Sequence, residues 1–335
     1  MKSILTIVFS VVLGSGIANA GSHENHDCKY QNNCSRANVS FGIITDIHHT
    51  NKINTSSRTY SAALDKMTRF VKVMNRKADF VIELGDYVDT LVDGKDPIQN
   101  LDEIETIYAG FKGPRYHVLG NHEFDNLYRN DFLEYIKNSG IPDGETYYSF
   151  NQNGVHFVVL DADYTVAEPH LPFDMQDPSA PFWSWKDAWV PQQELDWLTA
   201  DLAANNLPTV VFAHQVLHRD TTEAHTIKNA DVVRSIFEQD GQVVAVFSGH
   251  DHRGEVAVRN GIHYFVLEGN VGISLDWDQV SPTEGLDPKL DSPYTFVKIT
   301  EKRVESFNGM RSYQVKLVGN AQQYTFTDQV QISKP

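Results

Sequence analysis

Two rhythms of hydrophobic and polar positions alternate along the chain. Short apolar runs such as VSFGIIT, FVIEL, RYHVL, VHFVVL, TVVFAH and QVVAVF have strand length and are rich in Val, Ile and Phe. Longer segments with a helical period lie between them. From about Arg58 to Asn75, the residues Tyr60, Leu64, Met67, Phe70, Val71 and Met74 fall on one face, which predicts a helix packed on a sheet. LYRNDFLEYIKNS reads as a second helix, capped by Asn126 and ended by Gly140. Pro191 opens a third, QQELDWLTADLAA, with Leu195, Leu198 and Leu202 facing inward. A fourth runs from near Asp231 to Gln239. YYSF and VHFVVLDA form a hairpin about Gly154, IHYFVLE and YTFVKI add strands, and the last stretch to Pro335 reads as paired strands. From Asp163 to Val190 the periodicity is lost, while Pro, Asp and the tryptophans Trp183, Trp185 and Trp189 collect. A long aperiodic loop of this kind either covers a substrate or packs over the sheet, and the sequence leaves both open.

The apolar runs share a kind of ending. In order they break into TDIHH, ELGDYVD, VLGNHEF, FAHQ and FSGHDH, so each offers carboxylate, amide or imidazole where a strand becomes a loop. That edge is where α/β sheets place their chemistry. Taken singly these are weak signals, because a strand-end Asp is often a turn former and a lone His214 is more often structural than a ligand. Their common position, five times over, exceeds coincidence. Such a set suits two divalent cations roughly 3.5–4 Å apart with one carboxylate between them. Mixed imidazole and carboxylate favour Mn, Fe, Zn or Ni over Ca or Mg, without choosing among the four.

Composition narrows the setting. A chain of 335 residues with no internal repeat or linker reads as one domain over 39–335. Ahead of it, Lys2, the apolar stretch ILTIVFSVVLG and Ala18-Asn19-Ala20 have the layout of a secretory signal peptide over 1–20, cleaved before Gly21. The apolar run is shorter than the roughly 20 residues of a membrane span. A secreted or periplasmic location follows as the expectation, with no membrane contact after cleavage. Residues 21–38 form a polar tether that holds the only cysteines, Cys28 and Cys34. In an oxidising compartment these pair across a short loop; a metal site with His23 and His26 is the alternative. A formal net charge of -16 argues against duplex nucleic acid and against an anionic membrane surface. Asn33, Asn38 and Asn54 each begin an N-x-S pattern, which matters only in a host that glycosylates.

The ordered pattern D-x-H at 46–48, G-D-x-x-D at 85–89, G-N-H-E at 120–123, His214 and G-H-x-H at 249–252 resembles the calcineurin-like metallophosphoesterase superfamily. The resemblance spans about Phe41 to Val271. Within it, FGIITDIHHTNK, ADFVIELGDYVD, GPRYHVLGNHEF and GIHYFVLEGNV are similar to the manganese-dependent ADP-ribose/CDP-alcohol diphosphatases, which tend to carry Gln where this chain has His48. The resemblance implies an α/β fold, a four-layer αββα sandwich of two mixed β-sheets flanked by helices, with metals over the strand ends. It also implies that Asp46, His48 and His252 bind one metal and Asn121, His214 and His250 the other, with Asp86 bridging. Manganese stands first among the candidate ions. His122 would meet the substrate as the acid, with Glu123 as its supporting neighbour. Purple acid phosphatases resemble this pattern but carry a tyrosine ligand where this chain has Asp89, so no coloured ferric-tyrosinate centre is expected.

The chemistry implied is hydrolysis. Two divalent ions, set against Asp46, Asp86 and one hydroxide between the metals, leave about one positive charge, so an acidic protein keeps a phosphate-attracting pocket. Hydroxide would attack phosphorus in line while the metals take up charge on the phosphoryl oxygens. His122 would protonate the departing oxygen, a contribution on the order of 100-fold. The substrate expected is a small-molecule phosphodiester or phosphoanhydride, with nucleoside diphosphate-linked compounds such as ADP-ribose or CDP-alcohols in front. A phosphate-scavenging phosphomonoesterase is the alternative. A non-catalytic metal-binding protein ranks last, because no ligand is missing and His122 is present. Arg219 and Arg253 are candidates for phosphate contact and Phe124 for stacking on a ring, each against an ordinary reading as surface arginine or core aromatic. His49, His117, His156, His170, His218 and His263 read as structural. His225 does too, but its loop follows a ligand strand and makes it the exception to watch.

Overall fold

Strand β1 (Asn38–Ile44) sends Val39, Phe41 and Ile43 to one side and Ile44 to the other, all buried. Such a strand needs cover on both faces, and the rest of the chain supplies it. The computed structural model describes residues 37–174, 184–272, 293–302, 310–319 and 323–331. The signal segment, the tether to residue 36 with Cys28 and Cys34, His23 and His26, Asn33, and Trp183 lie outside the described residues.

In the first sheet β1 pairs in parallel with β2 (Phe80–Glu83), and β2 in parallel with β3 (Arg115–His117). On its other side β1 pairs antiparallel with β10 (Thr295–Lys302), followed antiparallel by β11 (Met310–Gly319) and β12 (Gln323–Gln331). The second sheet has the order β4 (Tyr148–Gln152), β5 (Val155–Val159), β6 (Thr209–Phe212), β7 (Val243–Ser248), β9 (Ile262–Glu268) and β8 (Arg253–Arg259). Its four inner strands are parallel, and β4 and β8 lie antiparallel at the edges. Asn153 and Gly154, at φ 48° and 80°, make the β4–β5 turn, the conformation that two-residue hairpins favour.

The sheets pack face to face through Phe41, Phe80 and Ile82 on one side and Phe157, Phe212 and Phe247 on the other. Phe41 is the hub: it stacks on Phe80 at 4.8 Å and meets Phe157, Phe212 and Phe247 edge-on at 5.4, 5.9 and 6.2 Å. On the outer face of the first sheet lie α1 (Ala63–Met74), α2 (Pro97–Tyr108) and α3 (Arg129–Tyr135), burying Met67, Phe70, Leu101, Ile104 and Phe132. The second sheet is covered by α4 (Gln192–Ala204) and α5 (Ala230–Asp240) through Leu195, Leu198, Val233 and Phe237. Helices therefore flank two mixed sheets, the layering anticipated above.

Three local readings change. Helix α2 arises where no element was expected. Its signal is Asp96-Pro97, whose carboxylate accepts from the N–H of Ile98 and Gln99 at 2.8 and 3.1 Å, followed by Leu101, Ile104 and Tyr108 on one face. Asn126 does not cap α3, which is shorter than its pattern; its amide accepts from Leu91 N–H and donates to the Asp89 carbonyl, tying two loops together. Strand β8 was also unforeseen, because the only apolar run of this half-exposed edge strand is Val256-Ala257-Val258, too short to announce it.

Because Phe41 touches aromatic rings of both sheets, Phe41→Ala should cost about 3–5 kcal/mol of stability. Denaturant unfolding would measure it, and a loss below about 1 kcal/mol would mean that the inter-sheet core is not organised around this ring.

Candidate metal centre

Parallel strands β1, β2, β3, β6 and β7 release their C-terminal ends toward one edge, where both sheets contribute. After β1 come Asp46 and His48, after β2 Asp86, after β3 Asn121 and His122, after β6 His214, and after β7 His250 and His252. Backbone bonds lace these loops: Asp46 N–H to Gly85 O at 3.0 Å, His48 N–H to Asp86 O at 2.9 Å, and Gly249 N–H to His214 O at 2.9 Å. The Asp46 carboxylate accepts from His250 N–H at 3.0 Å, joining the two sheets. Asp46, His48, Asp86 and His250 hold φ of 52°, 51°, 53° and 66°, a left-handed backbone that side-chain-bearing residues rarely adopt. Strain of this kind persists where a site over-determines the geometry. Gly120 and Gly249 permit the close approach. A Cβ at Gly120 would lie 2.5 Å from Asp86 N, and one at Gly249 would run into Thr45 Oγ1 and lie 2.6 Å from Asp46 Oδ2.

Among the described residues three donor groups result: His48, Asp89 and His122 make one, and the other two share one carboxylate. Asp46, His48, Asp86 and His252 place one ligand atom each within 4.8 Å of one another, and so do Asp86, His214 and His250. Asn121 lines the same cavity, and its Oδ1 is buried without a hydrogen-bond partner. His214 Nδ1 donates to the Leu84 carbonyl at 2.7 Å, so Nε2 is the nitrogen that takes a proton or a metal ion. That Nε2 faces Asp86 Oδ2 at 3.2 Å and His250 Nδ1 at 3.2 Å. Likewise His48 Nε2 faces His252 Nε2 at 3.2 Å. Apposed nitrogens beside carboxylates call for a cation between them. The donors fit two divalent transition ions with Asp86 in common.

The electrostatics point the same way. Burial opposes charge on His214, yet Asp86 and Asp46 outweigh it and push the imidazole up to about 10. Burial would raise the Asp46 carboxyl, but His252 and His214 hold it down at about 2. Asp86, buried too, is held well below the usual carboxylate range by His214 and His122. His48 goes the other way, lowered to about 4 by burial despite Asp89. Burial and then the neighbouring His214 keep His250 well below its ordinary value, so it stays a neutral donor.

A ring of supporting groups surrounds these donors, and the sequence had indicated only Glu123. Its carboxylate accepts from the N–H of Gly120, Asp86 and Tyr87, pinning the β2 and β3 loops together. Asp89 accepts from His48 Nδ1 at 3.1 Å and pairs with Lys52 at 2.8 Å and Arg58 at 3.4 Å. This is the carboxylate that orients a ligand imidazole. His122 Nδ1 donates to Asp125 at 2.6 Å and lies 3.4 Å from Asp89. Burial disfavours its charge, but Asp86, Asp125 and Asp89 together raise His122 well above an ordinary imidazole.

The site opens on a cavity of about 310 Å³ lined by Arg58, Asp86, Asn121, His122, Trp185, His225, His250 and His252. Three residues that the sequence put forward as substrate contacts fall away from it once their partners are seen. Phe124 is wholly buried in the helix-side core against Phe132, so it has no face for a substrate. Arg219 is committed to Asp251 and Glu255, each at 2.7 Å. Arg253 also turns to Asp251, at 3.0 Å, so the two guanidinium groups brace the G-H-x-H loop. The cationic side chain on the cavity is instead Arg58. Of the histidines read as structural, His117 is buried beside Glu83 and Glu105 and His156 pairs with Asp201, whereas His225 does line the cavity.

The family described as calcineurin-like phosphoesterase matches residues 39–254. The chain is 26% identical over 266 residues to the manganese-dependent ADP-ribose/CDP-alcohol diphosphatase of Arabidopsis thaliana, an alignment covering 68% of this chain and 85% of that protein. The protein of the same name from Danio rerio is 25% identical over 279 residues, covering 68% and 86%. Among solved structures, a dimetal phosphatase from Danio rerio aligns with a TM-score of 0.62 at 19% identity, over 88% of this chain and 99% of that one. At that identity the likeness is one of fold.

If Asp89 orients His48, then Asp89→Asn should weaken manganese binding about 10- to 100-fold with the fold intact. Calorimetric titration with Mn reads this directly, and unchanged affinity would remove Asp89 from the support of the site.

Proposed function

Since the chain belongs to the calcineurin-like phosphoesterase family and is a phosphoric ester hydrolase, we propose that it is a secreted or periplasmic dinuclear enzyme cleaving phosphoanhydrides or phosphodiesters. Nucleoside diphosphate-linked compounds such as ADP-ribose or CDP-alcohols are the substrate class. The observation that carries the reading is the Asp86 carboxylate shared by two donor clusters at the floor of the cavity. The relatives named as manganese-dependent diphosphatases support the substrate class and favour manganese. A single catalytic domain over 39–335 behind a cleaved signal segment completes the proposal.

Asp46, His48 and His252 would hold one ion, Asn121, His214 and His250 the other, and Asp86 both. Divalent ions so placed supply Lewis acidity to phosphoryl oxygens and a water acidified toward neutrality. The protein's own part is positioning and proton transfer. His122 donates its Nδ1 proton to Asp125, so Nε2 is the nitrogen left for the substrate, and the three carboxylates around the ring keep it protonated. A proton passed from Nε2 to the leaving oxygen spares the formation of a free alkoxide or phosphate anion. Arg58, held near Asp89, adds a positive charge on the cavity wall. His48, where the diphosphatases tend to carry Gln, favours the second reading, a phosphomonoesterase on the same donors.

With manganese restored to chelator-treated protein, ADP-ribose should turn over orders of magnitude faster than a simple phosphomonoester. The reverse ranking would select the phosphomonoesterase, and no turnover of either would overturn both substrate readings. His122→Ala should keep manganese affinity while losing about 100-fold or more in kcat, most for poor leaving groups. Loss of metal together with rate would make His122 a ligand rather than the acid. Export should yield a mature protein beginning at Gly21, which N-terminal sequencing would check; an uncleaved chain would overturn the signal assignment.

A further inference from the structure

The cavity lining combines the charged and polar Arg58, Asp86, Asn121, His122 and His252 with an aromatic cluster in which Trp185 meets His225 and His250. We infer that Trp185 and His225 form a platform for the heteroaromatic base of a nucleotide substrate. The inference rests on the phosphoanhydride reading above.

The loop carrying Trp185 had other options. Its neighbour Trp189 stacks on His170 with centroids 4.5 Å apart and planes 8° from parallel, and Ala188 and Val190 are buried. The backbone there is anchored by Trp189 N–H to Ala162 O at 2.9 Å and Lys228 N–H to Ala188 O at 2.8 Å. Trp185, in contrast, remains 41% exposed, presented by a turn closed from Asp187 N–H to Ser184 O at 2.8 Å. The exposed indole lines the cavity, so its ring is open to a ligand there.

Its surroundings specify the ligand. The indole centroid lies 5.0 Å from that of His225 and 5.9 Å from that of His250. His225 is fixed in turn, because Val216 N–H donates to its carbonyl at 3.0 Å and Val216 bridges Thr226. A flat ring resting on Trp185 would therefore lie beside His250 and the donor group to which it belongs. Lys186 Nζ, 5.3 Å from the indole centroid, competes for the ring. An exposed contact of that kind is worth about 2- to 5-fold in affinity, against about 5- to 100-fold for base stacking, so a base displaces it. Stacking uses the π-face that every base has, so the platform accepts adenine and cytosine alike and asks only for a ring.

The test compares two hydrolysis-resistant ligands with the same anion, adenosine 5′-methylenediphosphonate and methyl methylenediphosphonate, titrated calorimetrically into the manganese-loaded protein. The adenosine ester should bind about 10-fold or more tighter. Trp185→Ala should erase that advantage and leave the methyl ester unaffected, while Trp185→Phe keeps most of it. An advantage that survives Trp185→Ala, or an equal loss for both ligands, overturns the platform. Failure of the phosphoanhydride reading looks different: wild-type protein would retain the Trp185-dependent preference yet cleave no ADP-ribose.

Discussion

The structure turns on the shared burial of Asp86. A carboxylate with almost no exposure, whose Oδ2 faces both His214 and His48, is tolerable only if positive charge accompanies it. Asp46 and Asp89 lie close by and are equally buried, so the two sheets converge on an excess of negative charge. The same field that raises the proton affinity of His214 and His122 attracts a divalent cation. Fold and chemistry thus answer one electrostatic demand, which apolar packing between the sheets could not meet alone.

Meeting that demand shapes the backbone. The strand ends must bring Asp46, Asp86 and His250 within reach of one another, and an ordinary extended exit would point them apart. Left-handed residues at these positions turn the side chains inward, and the missing Cβ atoms of Gly120 and Gly249 let the loops touch. Glu123 then secures the arrangement from below, accepting three backbone N–H groups that the turning loops would otherwise leave unpaired. Arg219 and Arg253 perform the equivalent service for the G-H-x-H loop through Asp251.

This division explains what could be read in the sequence. Residues whose role depends on strand position, such as Asp46, Asp86 and His250, stand directly behind apolar runs, and the runs announce them. The α1 and α4 faces are periodic and equally plain. Asp89, Asp125 and Arg58 were not legible as functional, because each acts through a partner distant in the chain or hidden by the fold: Asp89 meets His48 across 41 residues. The ties of Arg219 to Asp251 and Glu255 were hidden for the same reason, since neither composition nor spacing reveals them. Helix α2 differs, because its Asp-Pro start and apolar face were present but interrupted by polar residues. Phe124 shows the opposite hazard, where adjacency to a motif says nothing of the direction a side chain takes.

A net charge of -16 would by itself repel an anionic substrate, and distance resolves the conflict. Charges on the exposed surface act through water and salt, which damp them beyond roughly 8 Å at physiological ionic strength. Inside the cavity the charges that count are those on its walls. There the surrounding groups favour a protonated His122, Arg58 is cationic, and the donors around Asp86 are built to take divalent ions. The low polarisability of the buried floor makes each of these worth more than a surface charge of the same size. Local attraction for phosphate and long-range acidity can therefore coexist. A small anion, once at the cavity mouth, then meets a field opposite in sign to that of the acidic exterior.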